Sequence, residues 1–354
     1  MKDVVDYFFK LVQIDSESGK ETKMIEYLTH WFDKLGIKYR QDHSGNLIGY
    51  VQGHGQPLIL CSHMDTVAPG QKIKPVVVGG VIKSSGSTIL GADNKATLAA
   101  IMVAVEQELM QSNHRALELL FTVKEEVGDN LQSLPKHRLK GREILLFDNA
   151  APLGTIVLRS PEIINFSLKI NGQSAHASRP DKGKNAIAAM ANLIHLFKPG
   201  YHDYRETTIN FGLISGGVGI NIIPSTGILT GEIRSYGADL MTRWQNKLQE
   251  NINKIQTIFG VTIDASFSGY CPGYQHDSNL NLVNKLKQIH QSLGLSTVLS
   301  RYSGVSDANL LNSYGFTAVN LGDGVENPHS HLEQIKIVDL IKLTGIVKTA
   351  INKI

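Results

Sequence analysis

Histidine and acidic side chains stand at the ends of three apolar segments in this chain. The segments are 58–61, 117–123 and 144–147, and the residues that follow them are His63 and Asp65, Glu125 and Glu126, and Asp148. Short apolar segments bounded by polar residues predict strands that are buried on both faces of a parallel sheet. Ligands of such sheets bind beyond the carboxyl ends of the strands. The pattern therefore predicts a metal site at one edge of a sheet.

Each of these residues also has an ordinary structural interpretation when it is considered alone. An isolated His63-Met-Asp65 pair is more often structural, although Asp65 could hold the far ring nitrogen of a metal-bound His63. Asp93 precedes an Ala-, Leu- and Met-rich segment and is expected at the N-cap of a helix. Glu125 and Glu126 form either an exposed acidic turn or a buried pair that needs a cation or a proton between its carboxylates. In the second case Glu126 binds the metal and Glu125 stays available as a base.

The joint occurrence of these residues favours a metal centre. Asp148 alone could cap a turn, and His329 and His331 could be ordinary histidines of a polar loop. Two imidazoles and four carboxylates at successive element ends, however, suit a pair of borderline divalent ions with nitrogen and oxygen ligands, zinc being the first choice. Because the set contains no cysteine, a structural zinc site is disfavoured.

Composition restricts the class of protein. Apolar residues make up 42% of the 354-residue chain and charged residues 19%, near globular averages, so we expect a compact two-domain protein. The net charge of +3 forms no basic block, which disfavours nucleic-acid and anionic-membrane partners. No apolar window suits a membrane span, and charged residues interrupt the N-terminal segment, so no signal peptide is expected. Two distant cysteines, Cys61 and Cys271, fit a reducing cytoplasm.

The order of the predicted elements indicates one domain inserted into another. Residues 1–162 and 270–354 predict an alternating α/β domain, with helices near 19–35, 96–110, 280–293 and 335–351 and strands near 46–52, 57–62, 117–123, 143–147 and 317–321. Between Pro161 and Pro272 the predicted strands are 163–170, 207–214, 227–234 and 261–267, and the predicted helices are 185–197 and 239–259. This β-α-β-β-α-β order is typical of a ferredoxin-like domain, which is therefore predicted at 163–269.

Several segments resemble the M20 metallopeptidases in both motif and order. They are His63-Met-Asp-Thr-Val, Gly91-Ala-Asp-Asn-Lys-Ala96, Glu125-Glu126, Phe147-Asp148, Ala175-His176-Ala177 and His329-Ser-His-Leu-Glu333. Ser303-Gly-Val-Ser-Asp-Ala-Asn309 and Val319-Asn-Leu-Gly322 most resemble the peptidase T branch of tripeptide aminopeptidases. The resemblance implies an α/β fold: a zinc-peptidase-like, three-layer catalytic domain with an inserted ferredoxin-like lid or dimerisation domain.

The resemblance also implies roles for the clustered residues. Two zinc ions per subunit are expected, cobalt and manganese being the alternatives. Asp93 would bridge the ions, with His63 and Asp148 completing one site and Glu126 and His329 the other. Glu125 would be the general base and Asp65 would orient His63. His329 fits the family pattern better than His331, which is the reserve ligand.

Further residues are implied to bind the substrate. His176 would polarise the scissile carbonyl or steady the oxyanion, and Asn221 and Arg234 would hold carbonyl or carboxylate groups of the substrate. Asn221 could instead serve a turn, and Arg234 could pair with an acidic neighbour on the sheet surface. Gly304 and Ser306 would line the substrate cleft. Asn94, Asn149 and the short segment after Glu126 depart from the family pattern, but none of them removes a proposed ligand. Asn149 and the short segment could reshape the pocket, and the chain lacks the length of a full peptidase T lid, which argues against strict tripeptide specificity.

The implied function is a cytoplasmic di-zinc aminopeptidase that acts on short peptides, with tripeptides as the first choice. A homodimer through the inserted domain is implied as well, and catalysis would need that domain to close about hinges near Pro161 and Pro272. Other amidohydrolases of this architecture compete with that interpretation: a dipeptidase, a carboxypeptidase or an N-acyl-amino-acid hydrolase. A non-catalytic peptide-binding protein is the alternative from another class, since a fold alone does not fix function.

Overall fold

The computed structural model describes residues 3–111, 113–128 and 130–354, and the chain divides into two compact units. The first unit contains Met1–Arg159 and Gln275–Ile354, and the second contains Ser160–Tyr274. The sequence places the division at 162/163 and 269/270 instead. Within the described residues, none of the helices has the length and apolar character that crossing a bilayer requires.

The helices and strands are numbered along the chain. The α-helices are α1 (Val4–Val12), α2 (Thr22–Lys34), α3 (Ala92–Glu108), α4 (Ala186–Phe197), α5 (Ala238–Phe259), α6 (Asn281–Ser292), α7 (Asp307–Ser313) and α8 (Ile337–Lys353). The first nine strands are β1 (Lys38–Gln41), β2 (Leu47–Val51), β3 (His54–His63), β4 (Pro75–Val78), β5 (Val81–Ser84), β6 (Arg115–Thr122), β7 (Glu143–Phe147), β8 (Thr155–Ser160) and β9 (Glu162–Asn171). The others are β10 (Gly200–His202), β11 (Thr207–Gly216), β12 (Thr226–Ser235), β13 (Thr262–Cys271), β14 (Tyr274–Gln275), β15 (Val298–Arg301), β16 (Thr317–Leu321), β17 (Val325–Glu326) and β18 (Gln334–Lys336).

A mixed sheet forms the centre of the first unit. Its strands run in the order β1-β2-β6-β3-β7-β16-β8, with β15 also paired to β8. The central pairs β3–β6, β3–β7 and β7–β16 are parallel, whereas β2–β6 and β8–β16 are antiparallel. Parallel strands carry their carboxyl ends to one edge of the sheet, so β3, β6 and β7 all end on the same side.

The central strands are buried on both faces. Leu58 and Leu60 of β3 belong to the apolar core that α1, α3 and α8 cover, and Ile59 and Cys61 point to the opposite face but are equally buried. On that opposite face α7 packs against β16. The prediction of doubly buried strands at 57–62, 117–123 and 143–147 is therefore confirmed. It worked because a strand with two covered faces needs apolar residues at every position.

A second, smaller sheet of the first unit is made of four short strands. It has the order β17-β18-β5-β4, and all three pairings are antiparallel. The pairing of β18 with β5 brings the segment after His329 beside the segment that leads into α3. None of these four short strands was predicted from the sequence, because two to four residues are too few to show a hydrophobic period.

The second unit is a five-stranded antiparallel sheet with two helices on one face. The strand order is β10-β11-β12-β9-β13, and α4 and α5 cover an apolar core that includes Leu168, Leu229 and Trp244. Without the short β10, this is the β-α-β-β-α-β arrangement predicted for the insertion. The other face of the sheet exposes apolar side chains, among them Leu213 and Ile228.

Candidate active site

The predicted ligands gather at the edge where the parallel strands end. His63 is the last residue of β3 and pairs with Thr122, the last residue of β6. A short 3-10 helix, Glu125–Val127, follows β6, and Asp148 follows the last residue of β7. The strand register therefore brings residues that are far apart in the sequence to one place.

Asp93 lies between the two histidines. The Nε2 atom of His63 is 3.1 Å from Asp93 Oδ1, and the Nε2 atom of His329 is 3.3 Å from Asp93 Oδ2. His63 Nε2 is also 3.5 Å from Asp148 Oδ1, and His329 Nε2 is 3.0 Å from Glu126 Oε1. Each oxygen of the Asp93 carboxylate thus faces a different histidine, and each histidine faces a second carboxylate.

These contacts define candidate ligand groups. Three sets offer ligand atoms within 4.8 Å of one another: His63, Asp93 and Asp148; His63, Glu125 and Glu126; and Asp93, Glu126 and His329. Asp93 belongs to the first and the last set. The geometry therefore brings together all five predicted ligands and Glu125. His331, the reserve ligand, lies on the exposed surface and belongs to none of these sets among the described residues.

The helix start at Asp93 differs from the prediction. Gly91, with φ +70°, is the N-cap of α3, and Asp93 lies inside the first turn with non-helical dihedrals (φ −78°, ψ 104°). The buried carboxylate of Glu333 explains this, because Oε1 accepts the Asp93 N–H at 2.9 Å and Oε2 accepts the N–H groups of Leu90 and Gly91, each at 2.7 Å. With its backbone held this way, the Asp93 side chain is turned to the histidines instead of capping the helix.

The tautomer of His63 suits a metal ligand. Its Nδ1 lies 2.9 Å from the carbonyl oxygen of Asp65, and since a carbonyl only accepts hydrogen bonds, Nδ1 carries a proton. The Nε2 atom is then the one that faces the other ligands. The sequence predicts the Asp65 carboxylate as the partner of this ring, but the carboxylate is farther away, at 3.5 Å.

The Asp65 carboxylate mainly holds the backbone of the neighbouring loop. Oδ1 accepts the Glu125 N–H at 3.0 Å and Oδ2 accepts the Glu126 N–H at 3.3 Å. The hydroxyl of Ser18 also donates to Oδ2, at 2.7 Å. Two successive backbone N–H groups make a favourable cradle for an anion, so Asp65 is stabilised there while it fixes the loop.

The charges of the site call for cations. Burial raises the pKa of Glu125 well above its usual range, and the Asp148 carboxylate raises it further. The carboxylates of Asp93 and Glu126 raise the pKa of His329 to about 10. Burial lowers the pKa of His63, but the carboxylates of Asp148, Asp65 and Asp93 outweigh it, so this pKa is also raised. Protonated imidazoles thus supply positive charge among carboxylates that would otherwise repel one another.

The donor set fits two borderline divalent ions. It offers one imidazole and one further carboxylate on each side of Asp93, and each set brings ligand atoms from different elements within 4.8 Å of one another. Mixed nitrogen and oxygen ligands without thiolates are typical of catalytic zinc sites rather than structural ones. The residues present therefore suit a pair of zinc ions.

Three supporting residues were not assigned a role from the sequence. Asn320 on β16 holds the backbone of Asp148, and Glu333 holds the backbone of Asp93. Asp307, at the start of α7, is buried and accepts hydrogen bonds from Thr122 at 2.6 Å and from Asn130. Glu333 and Asp307 lie in segments that carry the family resemblance. An acidic residue in such a segment without an assigned metal role was the signal that could have identified them.

The predicted cleft residues of the first unit have local structural roles. Ser306 is buried, caps α7 and accepts a hydrogen bond from Asn320 Nδ2 at 3.1 Å. A Cβ atom on Gly304 would lie only 2.7 Å from Cζ of Tyr302, so this position requires glycine for the tyrosine ring to pack. Ser306 is linked to Asp148 through Asn320. Because Ser306 is buried, it does not line a solvent-exposed cleft as the sequence predicts.

The predicted substrate residues of the second unit lie on its surface. His176 is exposed, and its Nδ1 is 2.8 Å from the hydroxyl of Ser178. His176 forms an isolated bridge with Ile222, and the Ala177 N–H donates to the carbonyl of Asn221 at 2.9 Å. His176 and Asn221 are therefore neighbours.

Arg234 makes a two-bond ion pair instead of presenting an unengaged guanidinium. Its Nε donates to Glu232 Oε1 at 2.7 Å and its second terminal nitrogen donates to Glu232 Oε2 at 3.1 Å. This is the structural alternative that the sequence leaves open for Arg234. Both residues point to the same face of β12, because they are two positions apart on one strand.

Known proteins resemble this chain in sequence and fold over almost the whole length of the chain. The peptidase dimerisation domain of the M20 family matches residues 160–258. The uncharacterized protein YqjE of Bacillus subtilis is 31% identical, over 99% of this chain and 98% of YqjE. The structure of aminopeptidase PepT from Bacillus cereus has a TM-score of 0.93 at 31% identity, over 99% of this chain and 97% of that one. A tripeptidase from Staphylococcus aureus has a TM-score of 0.94 at 31% identity, over 99% and 98%.

These similarities confirm the predicted fold class, a zinc-peptidase-like catalytic domain with an inserted ferredoxin-like domain. On this identity and coverage, the chain belongs to the M20 family of metallopeptidases, in its peptidase T-like branch.

Proposed function

We propose that this protein is a di-zinc aminopeptidase that removes the N-terminal residue of tripeptides, with Glu125 as the general base. One observation carries the proposal. The Glu125 carboxylate is within reach of the ligand groups, yet it has no hydrogen-bond donor among the described residues. The other carboxylates of the cluster face histidines, so Glu125 is the one left to move a proton.

Asp93 is proposed to bridge the two ions. His63 and Asp148 would complete one site, and Glu126 and His329 the other, which agrees with the pairing of side chains around Asp93. Cobalt or manganese could replace zinc in such a donor set. The ions would supply an acidified water and polarise the scissile carbonyl.

The remaining chemistry belongs to side chains of this chain. Glu125 would take a proton from water and later return it to the leaving amine. Its raised pKa favours holding that proton between the two steps. Asp65 would keep the Glu125 backbone fixed during both steps, through the hydrogen bond at Oδ1. A base must lie within hydrogen-bond reach of its proton, so a fixed loop is needed.

Further side chains are proposed to contact the substrate. His176 and Asn221 are exposed neighbours, which suits a joint role at the scissile carbonyl. Arg234 would bind a substrate carboxylate by exchanging it for Glu232, and this exchange makes its contribution smaller than that of an unpaired arginine. Gly304 would act by letting the Tyr302 ring pack beside the cleft, and Ser306 by holding Asn320.

The tripeptide preference is tested by a panel of three substrates. The zinc-loaded protein is incubated with a free-amine tripeptide, its N-acetyl form and an N-acyl amino acid, and the products are identified by mass spectrometry. We expect cleavage of the free-amine tripeptide at its first bond only. Cleavage at the last bond would indicate a carboxypeptidase, and release of the acyl group an acylase. No hydrolysis by protein that binds two ions would reject a catalytic function.

The protein is further proposed to work as a homodimer in the cytoplasm. The dimerisation domain of the family matches residues 160–258, most of the second unit, and the edge strand β13 of that unit is exposed over most of its length. Both cysteines, Cys61 and Cys271, are buried free thiols, which suits a reducing compartment. Light scattering after size exclusion would give the oligomeric state, and a monomer at micromolar concentration would contradict the dimer.

A further inference from the structure

The loop that carries the proposed base is held by its backbone at four consecutive positions. The N–H groups of residues 123–126 each donate to a side chain from elsewhere in the first unit. Val123 donates to Asn46 Oδ1 at 3.0 Å, and Lys124 to Glu21 Oε1 at 3.1 Å. The last two donate to Asp65, as described above. Asn46, Glu21 and Asp65 are all buried. These four N–H groups are thus held by side chains from outside the loop.

Glu21 stands out among these three acceptors. It precedes α2, only 5% of its surface is exposed, and its Oε1 also accepts the Gly19 N–H at 2.8 Å. Glu21 belongs to the segment Ser16–Glu21, which runs beside residues 64–66 and also contributes the Ser18 hydroxyl to Asp65. This short segment between two helices therefore supports the loop of residues 123–126 directly through Glu21 and indirectly through Ser18 and Asp65.

The contact with Glu21 lies where the loop backbone is least favourable. Lys124 has φ +52° and ψ +30°, the left-handed conformation that residues with a Cβ rarely adopt. This conformation turns the chain between the end of β6 and Glu125, and it needs an external acceptor for the Lys124 N–H. A buried carboxylate is such an acceptor, because its bond to an N–H group is charge-assisted.

We propose that Glu21 is a positioning residue: by holding Lys124 in its left-handed turn, it directs the side chains of Glu125 and Glu126 toward the two proposed metal ions. This proposal rests on the proposed function for the role of Glu125. Its effect should appear at both neighbours, as slower proton transfer at Glu125 and weaker ion binding at Glu126. A residue that only stabilised the fold would change neither property in the folded enzyme.

Glu106 supplies a matched control. Its Oε1 accepts hydrogen bonds from Trp31 at 3.0 Å and from the Tyr7 hydroxyl, so it ties helices together as Glu21 ties a loop. Glu106 lies late in α3, and these two hydrogen bonds join it to α1 and α2 rather than to residues 123–126. Loss of Glu106 should therefore lower the melting temperature without changing the site.

The experiment compares Glu21→Ala, Glu21→Gln and Glu106→Ala with the parent enzyme. Glu21→Gln keeps a carbonyl oxygen as an acceptor for Lys124, whereas Glu21→Ala removes it. Binding of Co²⁺ is measured by equilibrium dialysis and by the visible spectrum of the bound ions. Tripeptide hydrolysis is measured at saturating metal, with kcat and KM separated. Melting temperatures report the folded fraction of each variant.

We expect Glu21→Ala to lose at least tenfold in kcat with little change in KM, and to bind one of its two Co²⁺ ions at least tenfold more weakly. Glu21→Gln should recover most of both losses, and Glu106→Ala should show neither. If Glu21→Ala is folded and keeps its kcat and both ion affinities within twofold, the proposal is wrong. Losses equal to those of Glu106→Ala would also reject it. If the parent enzyme binds two ions but cleaves no peptide, the proposed function fails, while the dialysis result still tests Glu21.

Discussion

Asn320 holds Asp148 by both polar groups of its backbone: Oδ1 accepts the Asp148 N–H at 3.0 Å, and Nδ2 donates to the Asp148 carbonyl at 2.9 Å. The buried amide thus sets the direction in which this proposed ligand leaves β7. Outer residues that orient a ligand usually change metal affinity on the order of 10- to 100-fold when they are removed. We therefore expect Asn320→Ala to lower the affinity for one of the two zinc ions by that factor, measured by competition with a chromophoric chelator.

Asn312 provides the control for this prediction. It makes the same pair of bonds to Ala318 on the same strand, with Oδ1 accepting at 3.1 Å and Nδ2 donating at 2.8 Å. Asn312→Ala should therefore cost comparable stability without changing zinc affinity. Equal zinc affinities in the two variants would show that Asn320 has no special role at the site.

Glu125→Gln should keep both ions and lose nearly all turnover. Glutamine has almost the same shape but cannot take a proton, and general base catalysis typically contributes roughly 10² to 10⁴ in rate. We expect kcat to decrease by a factor in that range, while the metal content, measured by elemental mass spectrometry, stays at two ions per chain. The exposed Glu26 of α2 gives a control, Glu26→Gln, which should behave as the parent. Activity of Glu125→Gln within tenfold of the parent would reject Glu125 as the base.

Asp93→Ala should lose metal as well as activity, because each of its carboxylate oxygens faces a different histidine. Without the bridging carboxylate, both proposed sites lose a ligand at once. Elemental analysis after dialysis should find well under two ions per chain. Asp33→Ala, an exposed change on α2, should retain both. Two retained ions in Asp93→Ala would contradict the bridging role.

Asp307 should make the stability of the protein depend on pH. Burial raises the pKa of Asp307 to about 6. The folded chain then keeps this proton while the unfolded chain loses it near pH 4, so the free energy of unfolding falls as pH rises from about 4 to about 6. For a fully buried group this difference corresponds to roughly 3 kcal/mol.

Asp307→Asn should remove that slope. The amide can still accept from Asn130 and can donate to the Thr122 hydroxyl in place of the present bond. We expect the melting temperature of this variant, relative to the parent, to rise between pH 4.5 and pH 7 and to stay level above it. Asp33→Asn serves as an exposed comparison. A constant difference across the range would mean that Asp307 ionises at its ordinary pH in the folded protein.

The sequence predicted the parallel core well, because each doubly buried strand has a continuous apolar segment of its own length. The predicted strands 143–147 and 317–321 have the observed bounds of β7 and β16. Short, mostly exposed strands such as β1 and β15 show no such pattern. Their positions are decided by pairing with distant strands, which local patterns do not encode.

The ligand cluster was also predictable, since a metal site restricts residue types. The hydrogen bonds behind it were not. The Asp65 carboxylate lies 3.5 Å from His63 Nδ1, on the expected side of the ring, but its oxygens also accept two backbone N–H groups of the next loop. Asp93 was expected as a helix cap, but Glu333 takes its N–H. Both outcomes depend on residues far away in the sequence, and therefore on the finished fold.

The three bonds of Glu333 to residues at the start of α3 also constrain the order of events during synthesis. His329 and Glu333 are translated after the whole of Ser160–Tyr274, whereas His63, Asp93 and Asp148 are translated before it. A ribosome that has just completed Tyr274 has therefore made the whole second unit, but not the residues that fix Asp93. Asp93 and the acids close to it are therefore synthesised well before Glu333 and His329, their partners in the finished fold.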